Sequence, residues 1–330
     1  MTAMPQRGAE GFLHRFEGLR PRLPGARLPW LEALRDGAAA AFRAQAGARA
    51  ALQPRHRIVA GATKLSTMAA VLPDDGVAGA KVYTTVDGRF RFVVVLFDAA
   101  SGEPLACMEA DAFTEIRTAA VTTAMALALA DPQSATLAVF GTGVQAAAHV
   151  RALARRFPLA EIRVVSRGDA AAFCAAMAAE TGRSVVQRDA AAAVAGARIV
   201  VTATRSRTPL FDGHHLSPGA FVAAVGSTLP DTAELDATTF LRADSVVIEW
   251  APQAFAEAGD LLLAESAGAL DRRQVIEASA ALADPGRARP SPDAIVVFKS
   301  VGIALEDVAV AGAVWRRLNR GWGRTRGNRA

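Results

Sequence analysis

Lysine is almost missing from this chain: of 37 lysines and arginines, only Lys64, Lys81 and Lys299 are lysine. Cysteine is scarcer still. Cys107 and Cys174 lie in unrelated segments with no C-x-x-C spacing, and the five histidines show no H-x-x-x-H pairing. That excludes a disulfide framework and a zinc site. Aromatic residues make up 6%, and the arginines are scattered without a long basic run. A formal charge of +5 and a pI near 10.0 therefore fit affinity for anionic small molecules, and nucleic acid is not expected as a partner. No apolar run reaches the length of a membrane span without polar interruption, and the N-terminus lacks the apolar core of a secretory signal. The expectation is a cytoplasmic protein without a membrane partner.

What is present is apolar and long enough for two domains. At 330 residues and 52% hydrophobic, the chain can bury a full core. Residues 1–27 read as an extension to which no role is assigned. Residues 28–52 have helical spacing, with Leu31, Leu34, Ala38 and Phe42 on one face. Short β-like pieces follow, the last a hairpin turning at Ala100, Ser101 and Gly102. "DAFTEIRTAAVTTAMALALA" (111–130) is a long apolar helix that "DPQS" breaks. From Ala135 strands alternate with helical patterns, which predicts an α/β fold with a doubly wound parallel sheet over 131–293. After the Pro-rich "DPGRARPSPD", residues 294–320 read as strand, glycine turn and helix returning to the first domain. The expected partition is thus 28–130 with 294–330 against 131–293.

"TLAVFGTGVQAAAHV" places Gly141, Thr142, Gly143 and Ala146 after an apolar strand and at a helix start. This is G-x-G-x-x-A in the context that makes it informative. Glycines let the backbone turn and approach a pyrophosphate whose charge sits at the helix N-terminus. The next strand, "EIRVVSR", ends in Ser166 and Arg167 instead of an acid. A hydroxyl and a guanidinium suit a 2′-phosphate, so NADPH is expected, with NADH as the alternative because Asp169 could reach the ribose.

Lysine, unlike arginine, can have its pKa lowered by burial or a neighbouring cation and then exchange protons near neutrality. Lys81 in "VAGAKVYTTVDG" is therefore a candidate proton-transfer group, weighed against an ordinary paired or exposed lysine. Arg117, early in the 111–130 helix among small residues, can clamp a carboxylate through parallel hydrogen bonds or lie on the surface. Arg55 and Arg57 share one side of a strand, and either could be a second clamp or a solvent-facing charge. His149 falls two turns into the glycine-led helix and reads as packed. Glu306 and Asp307 read as acids serving the start of the last helix.

Taken together, these pieces resemble the ornithine cyclodeaminase and mu-crystallin family. The matching segments are "PRH" (54–56), Met68, "GAKV" (79–82), "IRTAAV" (116–121), "FGTGVQAAAH" (140–149), "VTATRSRTPLF" (201–211), "VGSTLPDTAELD" (225–236) and "FKSVGIALEDVA" (298–309). They keep the family's order over residues 30–320. The resemblance implies a central Rossmann domain, an α+β substrate and dimerisation domain built from both chain ends, and a homodimer. It also implies a substrate carboxylate held by Arg55 and Arg117, with Lys81 beside it handling the proton. Thr228, Asp231, Ser300 and Gly302 would line the substrate pocket. Thr118, Gly141, Thr142, Gly143, Val144, Gln145, Ser166, Arg167, Thr204 and Ser227 would meet the dinucleotide.

Three departures bear on the substrate. The aspartate that handles the substrate amine in cyclodeaminases is Thr228 here, while Asp231 follows the "PD" pattern of the ketimine-reductase branch. Met-Pro-Ala reads Met68-Ala69-Ala70, and the family's usual aspartate after a late strand is Glu249. The resemblance thus implies an NADPH-dependent reductase of Δ1-pyrroline-2-carboxylate or Δ1-piperideine-2-carboxylate. An alanine- or opine-type dehydrogenase ranks second, an ornithine cyclodeaminase third, and a non-catalytic NADPH-binding protein fourth.

Overall fold

The computed structural model describes residues 49–318 together with Phe42, Gln45 and Gly47. The 1–27 extension and most of the helix expected over 28–52 lie outside the described residues. That helix does not reach its expected end, because Ala51–Leu52 form a short strand, β1, paired antiparallel to β3.

Six strands build a first, antiparallel sheet. They are β1, β2 (His56–Ala60), β3 (Thr63–Leu72), β4 (Val77–Val86), β5 (Arg89–Asp98) and β6 (Pro104–Glu109). Their order is β1-β3-β4-β5-β6, with β2 also on β3. Alternation fixes which side chains turn inward. In β4 the buried residues are Val77, Gly79, Lys81 and Tyr83, so a charged lysine stands in a row otherwise chosen for burial. Helix α1 (Asp111–Leu129) follows β6 and is buried on nearly every side from Arg117 to Ala126. Its threonines cause no unsatisfied polar burial: Thr118 and Thr123 donate to the carbonyls of Thr114 and Ala119 at 2.8 and 2.7 Å.

The second sheet has eight parallel strands in the order β13-β12-β14-β11-β10-β7-β8-β9. Its members are β7 (Thr136–Phe140), β8 (Glu161–Val165), β9 (Ser184–Gln187), β10 (Ile199–Thr202), β11 (Phe221–Ala224), β12 (Ser245–Ile248), β13 (Ile276–Glu277) and β14 (Val296–Lys299). The continuous burial of β10, β11, β12 and β14 is the pattern of a sheet covered on both faces. This is the doubly wound fold expected from the alternating strands and helices, with helix α2 (Val144–Ala154) following the glycines.

The expected boundary at 294 is corrected by β14. That strand slots parallel between β11 and β12, because "AIVVF" is apolar on both faces and finds burial only inside the parallel sheet. The chain returns to the first sheet one step later, through helix α4 (Ala304–Leu318), which packs on β3, β4 and β5. Helix α3 (Ala251–Glu257) follows β12 and ends at the same edge. The inner face of the antiparallel sheet thus meets the carboxyl ends of β11, β12 and β14, which is where ligands of open α/β sheets lie.

Candidate active site

Around Lys81 these elements assemble a buried ionic cluster. Lys81 is 2% exposed, and its Nζ donates to Asp307 Oδ1 at 2.9 Å. Arg117 Nε donates to the same oxygen at 2.9 Å, and its Nη1 donates to Glu306 Oε2 at 2.6 Å. Arg55 pairs with Glu257 and donates from Nη2 to the carbonyls of Val301 and Gly302, at 2.9 and 2.6 Å. Arg57 pairs with the other oxygen of Glu257 and reaches the Thr228 carbonyl at 3.4 Å. Glu249, just past β12, accepts from Ser300 Oγ and from the amides of Val301 and Gly302 at 2.9 and 2.7 Å. Sharing Asp307 brings Lys81 and Arg117 within one carboxylate of each other.

Burial pushes the Lys81 ammonium down to about 8; Arg117 and Arg55 add to the fall, and Asp307 opposes it. The two guanidiniums beside the lysine contribute, yet loss of water is the larger cause. Burial alone would raise Asp307, but Arg117 and Lys81 outweigh it and keep the carboxylate below its usual range. Glu306 is raised well above the usual range, by burial first and by the nearby Glu249 second. An ammonium near neutrality in a water-poor site can give up and regain a proton during turnover.

Buried polar atoms without partners collect at this spot. Arg55 Nε, Gln253 Oε1, Glu306 Oε1, Asp307 Oδ2 and Ser66 Oγ are all of this kind. Ser66 sits on the inner face of β3, two residues from Met68, which pairs with Lys81. Natural proteins leave few such atoms, and a cluster of them marks a place prepared for a polar ligand. No group of histidines, cysteines and carboxylates suited to a metal ion occurs among the described residues.

Gly302 shows how closely the site is built. Its φ of 74° lies in the left-handed region, and a Cβ there would stand 2.8 Å from Arg117 Nη2. Gly302→Ala is therefore expected to weaken carboxylate binding at least tenfold and to cost about 1–2 kcal/mol of stability. Steady-state KM values and denaturant midpoints of the variant check both effects.

At the other end of the site, Gly141 has a φ of 107°, and a Cβ would come within 2.8 Å of the Ala203 carbonyl. Gly143 precedes α2 without any side-chain cap, and nothing lies within 4 Å of where its Cβ would be. Thr142 and Val144 are exposed, and Gln145 Oε1 is buried without a partner. The first turn of α2 thus offers free amides, the positive end of a helix dipole and room for phosphate, so these residues fit a dinucleotide. Ser166 is half-buried and Arg167 exposed at the end of β8, and Asp169 spends one oxygen on the amide of Ala171. Glu234 gathers the hydroxyls of Thr202 and Thr204 and the amides of Thr204, Gly226 and Ser227 at 2.6–3.1 Å. It ties the ends of β10 and β11 together and fixes Thr204 and Ser227. Thr118 keeps its hydroxyl proton on the Thr114 carbonyl.

Lys81, Arg55, Arg117, Ser300 and Gly302 come together around the carboxylates. Thr228 is half-buried at the rim, whereas Asp231 is exposed and pairs with Arg207. Asp231 is not brought into the cluster, because the turn after Pro230 faces it outward. Glu306 and Asp307 are a correction as well: they lie in the first turn of α4, yet both are fully buried and hold Arg117 and Lys81. Glu257 and Gln253 were missed. The available signal was acids set in runs otherwise apolar, "IALEDVAVAGAV" and "APQAFAEAG", since acids are almost never fully buried unless paired. His149 is packed as expected between Gln145 and Thr122, and burial holds it down at about 4. Lys299 is an internal ion pair with Asp260 at 2.7 Å.

A dinucleotide-binding sheet whose ligand edge abuts a buried lysine of lowered pKa defines an NAD(P)H-dependent oxidoreductase. The chain belongs to the ornithine cyclodeaminase/mu-crystallin family, whose model matches residues 29–321. A Delta(1)-pyrroline-2-carboxylate/Delta(1)-piperideine-2-carboxylate reductase of Azospirillum brasilense is 37% identical over 70% of this chain and 70% of its own length. A probable ornithine cyclodeaminase from Bordetella pertussis Tohama I is 46% identical, with a TM-score of 0.86 over 89% of this chain and 94% of that one. An archaeal alanine dehydrogenase dimer with bound NAD is 28% identical, with a TM-score of 0.81 over 88% of this chain and 92% of that one.

Proposed function

We propose that this protein reduces a cyclic ketimine 2-carboxylate, Δ1-pyrroline-2-carboxylate or Δ1-piperideine-2-carboxylate, to proline or pipecolate, with NADPH as its preferred electron donor. The observation that carries the reading is the pairing of Lys81 with Arg117 through Asp307 at the ligand edge of the parallel sheet. When bound, the reduced nicotinamide supplies a hydride for the C=N carbon. Arg117, with Nη2 still open beside Gly302, takes the carboxylate together with Arg55 and so sets the face that C2 presents. Lys81 Nζ, directly or through a water, gives a proton to the ring nitrogen as the carbon is reduced, and Asp307 holds the ammonium in place. Closure of the site between two sheets keeps bulk water from the imine. The Azospirillum relative of the same name class supports this substrate choice.

Thr228 in place of a carboxylate favours this reading over ring closure of ornithine, which needs a base for the substrate amine. Presented with either ketimine, with pyruvate plus ammonia, or with ornithine plus NAD, the enzyme is expected to turn over the ketimines at least a hundredfold faster than the others. Faster turnover of ornithine would overturn the reading. Preference for NADPH rests on Arg167, so Arg167→Ala is expected to raise KM for NADPH about tenfold and leave NADH nearly unchanged, as one lost charge-assisted phosphate contact would.

A homodimer also belongs to the proposal. The outer face of the antiparallel sheet exposes Ile58, Val71, Val93 and Phe97, an apolar surface of the kind that a second copy covers. Among the described residues, no helix is long and apolar enough to cross a membrane.

A further inference from the structure

Four cations, Arg55, Arg57, Lys81 and Arg117, face four carboxylates, Glu249, Glu257, Glu306 and Asp307, inside the candidate site. With every group ionised the cluster is neutral and offers an incoming anion no net attraction. Two of the carboxylates meet each other. Glu306 comes within hydrogen-bonding reach of Glu249, and Glu306 Oε1 is buried with no donor to accept from. Both oxygens of Glu249 already take hydrogen bonds from Ser300, Val301 and Gly302. Two buried carboxylates side by side repel when both are charged, and a proton between them relieves that repulsion and gives the orphaned oxygen a partner.

We propose that Glu306 and Glu249 hold one proton between them, and that this proton leaves the Arg117 cluster with the single positive charge that a monocarboxylate substrate neutralises. The second half rests on the reading that Arg117 takes the substrate carboxylate; the shared proton does not. The groups facing Glu306 are Arg117 from α1, Glu249 from the end of β12, its own neighbour Asp307 and, through Asp307, Lys81 from β4 and Arg55. Loss of the proton adds a negative charge against Arg117 Nη1, so carboxylate affinity falls as pH rises. Glu306 is a positioning residue in this scheme, acting on the substrate through Arg117.

Two measurements on the full-length protein test the proposal. Infrared difference spectra of the ligand-free protein should show a carbonyl band of a buried protonated carboxylic acid, lost as pH is raised. Glu306→Gln and Glu249→Gln, which alter the pair from different elements, should each lack it. Calorimetry of cyclopent-1-ene-1-carboxylate binding to the NADP⁺-loaded enzyme, in buffers of different ionisation enthalpy, should show uptake of one proton more on the alkaline side for wild type than for Glu306→Gln. The variant should lose one factor of ten per pH unit from the dependence of Kd. Absence of the acid band from wild type, its survival in both variants, or proton uptake unchanged in Glu306→Gln would overturn the proposal. A band that behaves as described, with no carboxylate bound by either protein, would uphold the shared proton and count against Arg117 as the carboxylate site.

Discussion

Replacing Lys81 by methionine is expected to lower kcat for ketimine reduction by about 10²–10⁴, the range attributed to a positioned general acid, while NADPH binding stays within about twofold. Methionine keeps most of the side-chain volume against Phe92, over whose ring Lys81 Nζ lies at 4.5 Å. Asp307 retains its bond to Arg117, so no carboxylate is orphaned. In wild type the dependence on pH has a definite sign. Lys81 must carry its proton to donate it, and burial places its pKa at about 8; kcat/KM should be full below that value and fall as pH rises through it. Stopped-flow single turnovers across this range, for wild type and Lys81→Met, check both statements. A variant with unimpaired kcat and an unchanged alkaline limb would remove Lys81 from the chemistry.

Arg117→Met should be the most destabilising single change in the site. It removes the partner of Glu306 and one of the two partners of Asp307, both fully buried. Breaking a buried ion pair from one side costs about 3–5 kcal/mol because the remaining charge has no water to return to. Burial disfavours the Arg117 charge, yet Asp307, Glu306 and Glu249 together hold it above its ordinary pKa, so the guanidinium is the hub of the network. Arg117→Lys restores the charge but not the planar fork, and should fold better than the methionine variant while leaving KM for the ketimine raised. Equilibrium urea unfolding and steady-state kinetics separate the two consequences. If Arg117→Met unfolds at the wild-type midpoint, the network does not hold this part of the fold.

The dinucleotide half of the molecule was legible because its signals are local. A strand, Gly141-x-Gly143 and a helix occur within one short stretch, and backbone geometry demands glycine at 141. Lys81 stood out through the rarity of lysine in a row of alternating burial. The partners of these residues were not legible. Glu306 and Asp307 look like ordinary first-turn acids of a helix, and only the tertiary fold, by seating α4 on β4 beside α1, turns them toward Lys81 and Arg117. Glu257 meets Arg55 and Arg57 across about two hundred residues, a pairing that no local spacing encodes. The placement of Val296–Lys299 inside the parallel sheet escaped for a related reason: an apolar strand fits either sheet until its neighbours are known.

The most direct test of ketimine reduction is hydride tracing. The enzyme is supplied with Δ1-pyrroline-2-carboxylate and NADPH carrying deuterium at C4 of the nicotinamide, each C4 face labelled in turn, and the proline is weighed by mass spectrometry. One deuterium at C2 of L-proline from one labelled face, in equal amount to the NADP⁺ formed, is the predicted result. Proline that carries the label from neither face, or NADPH bound and never consumed, would contradict it.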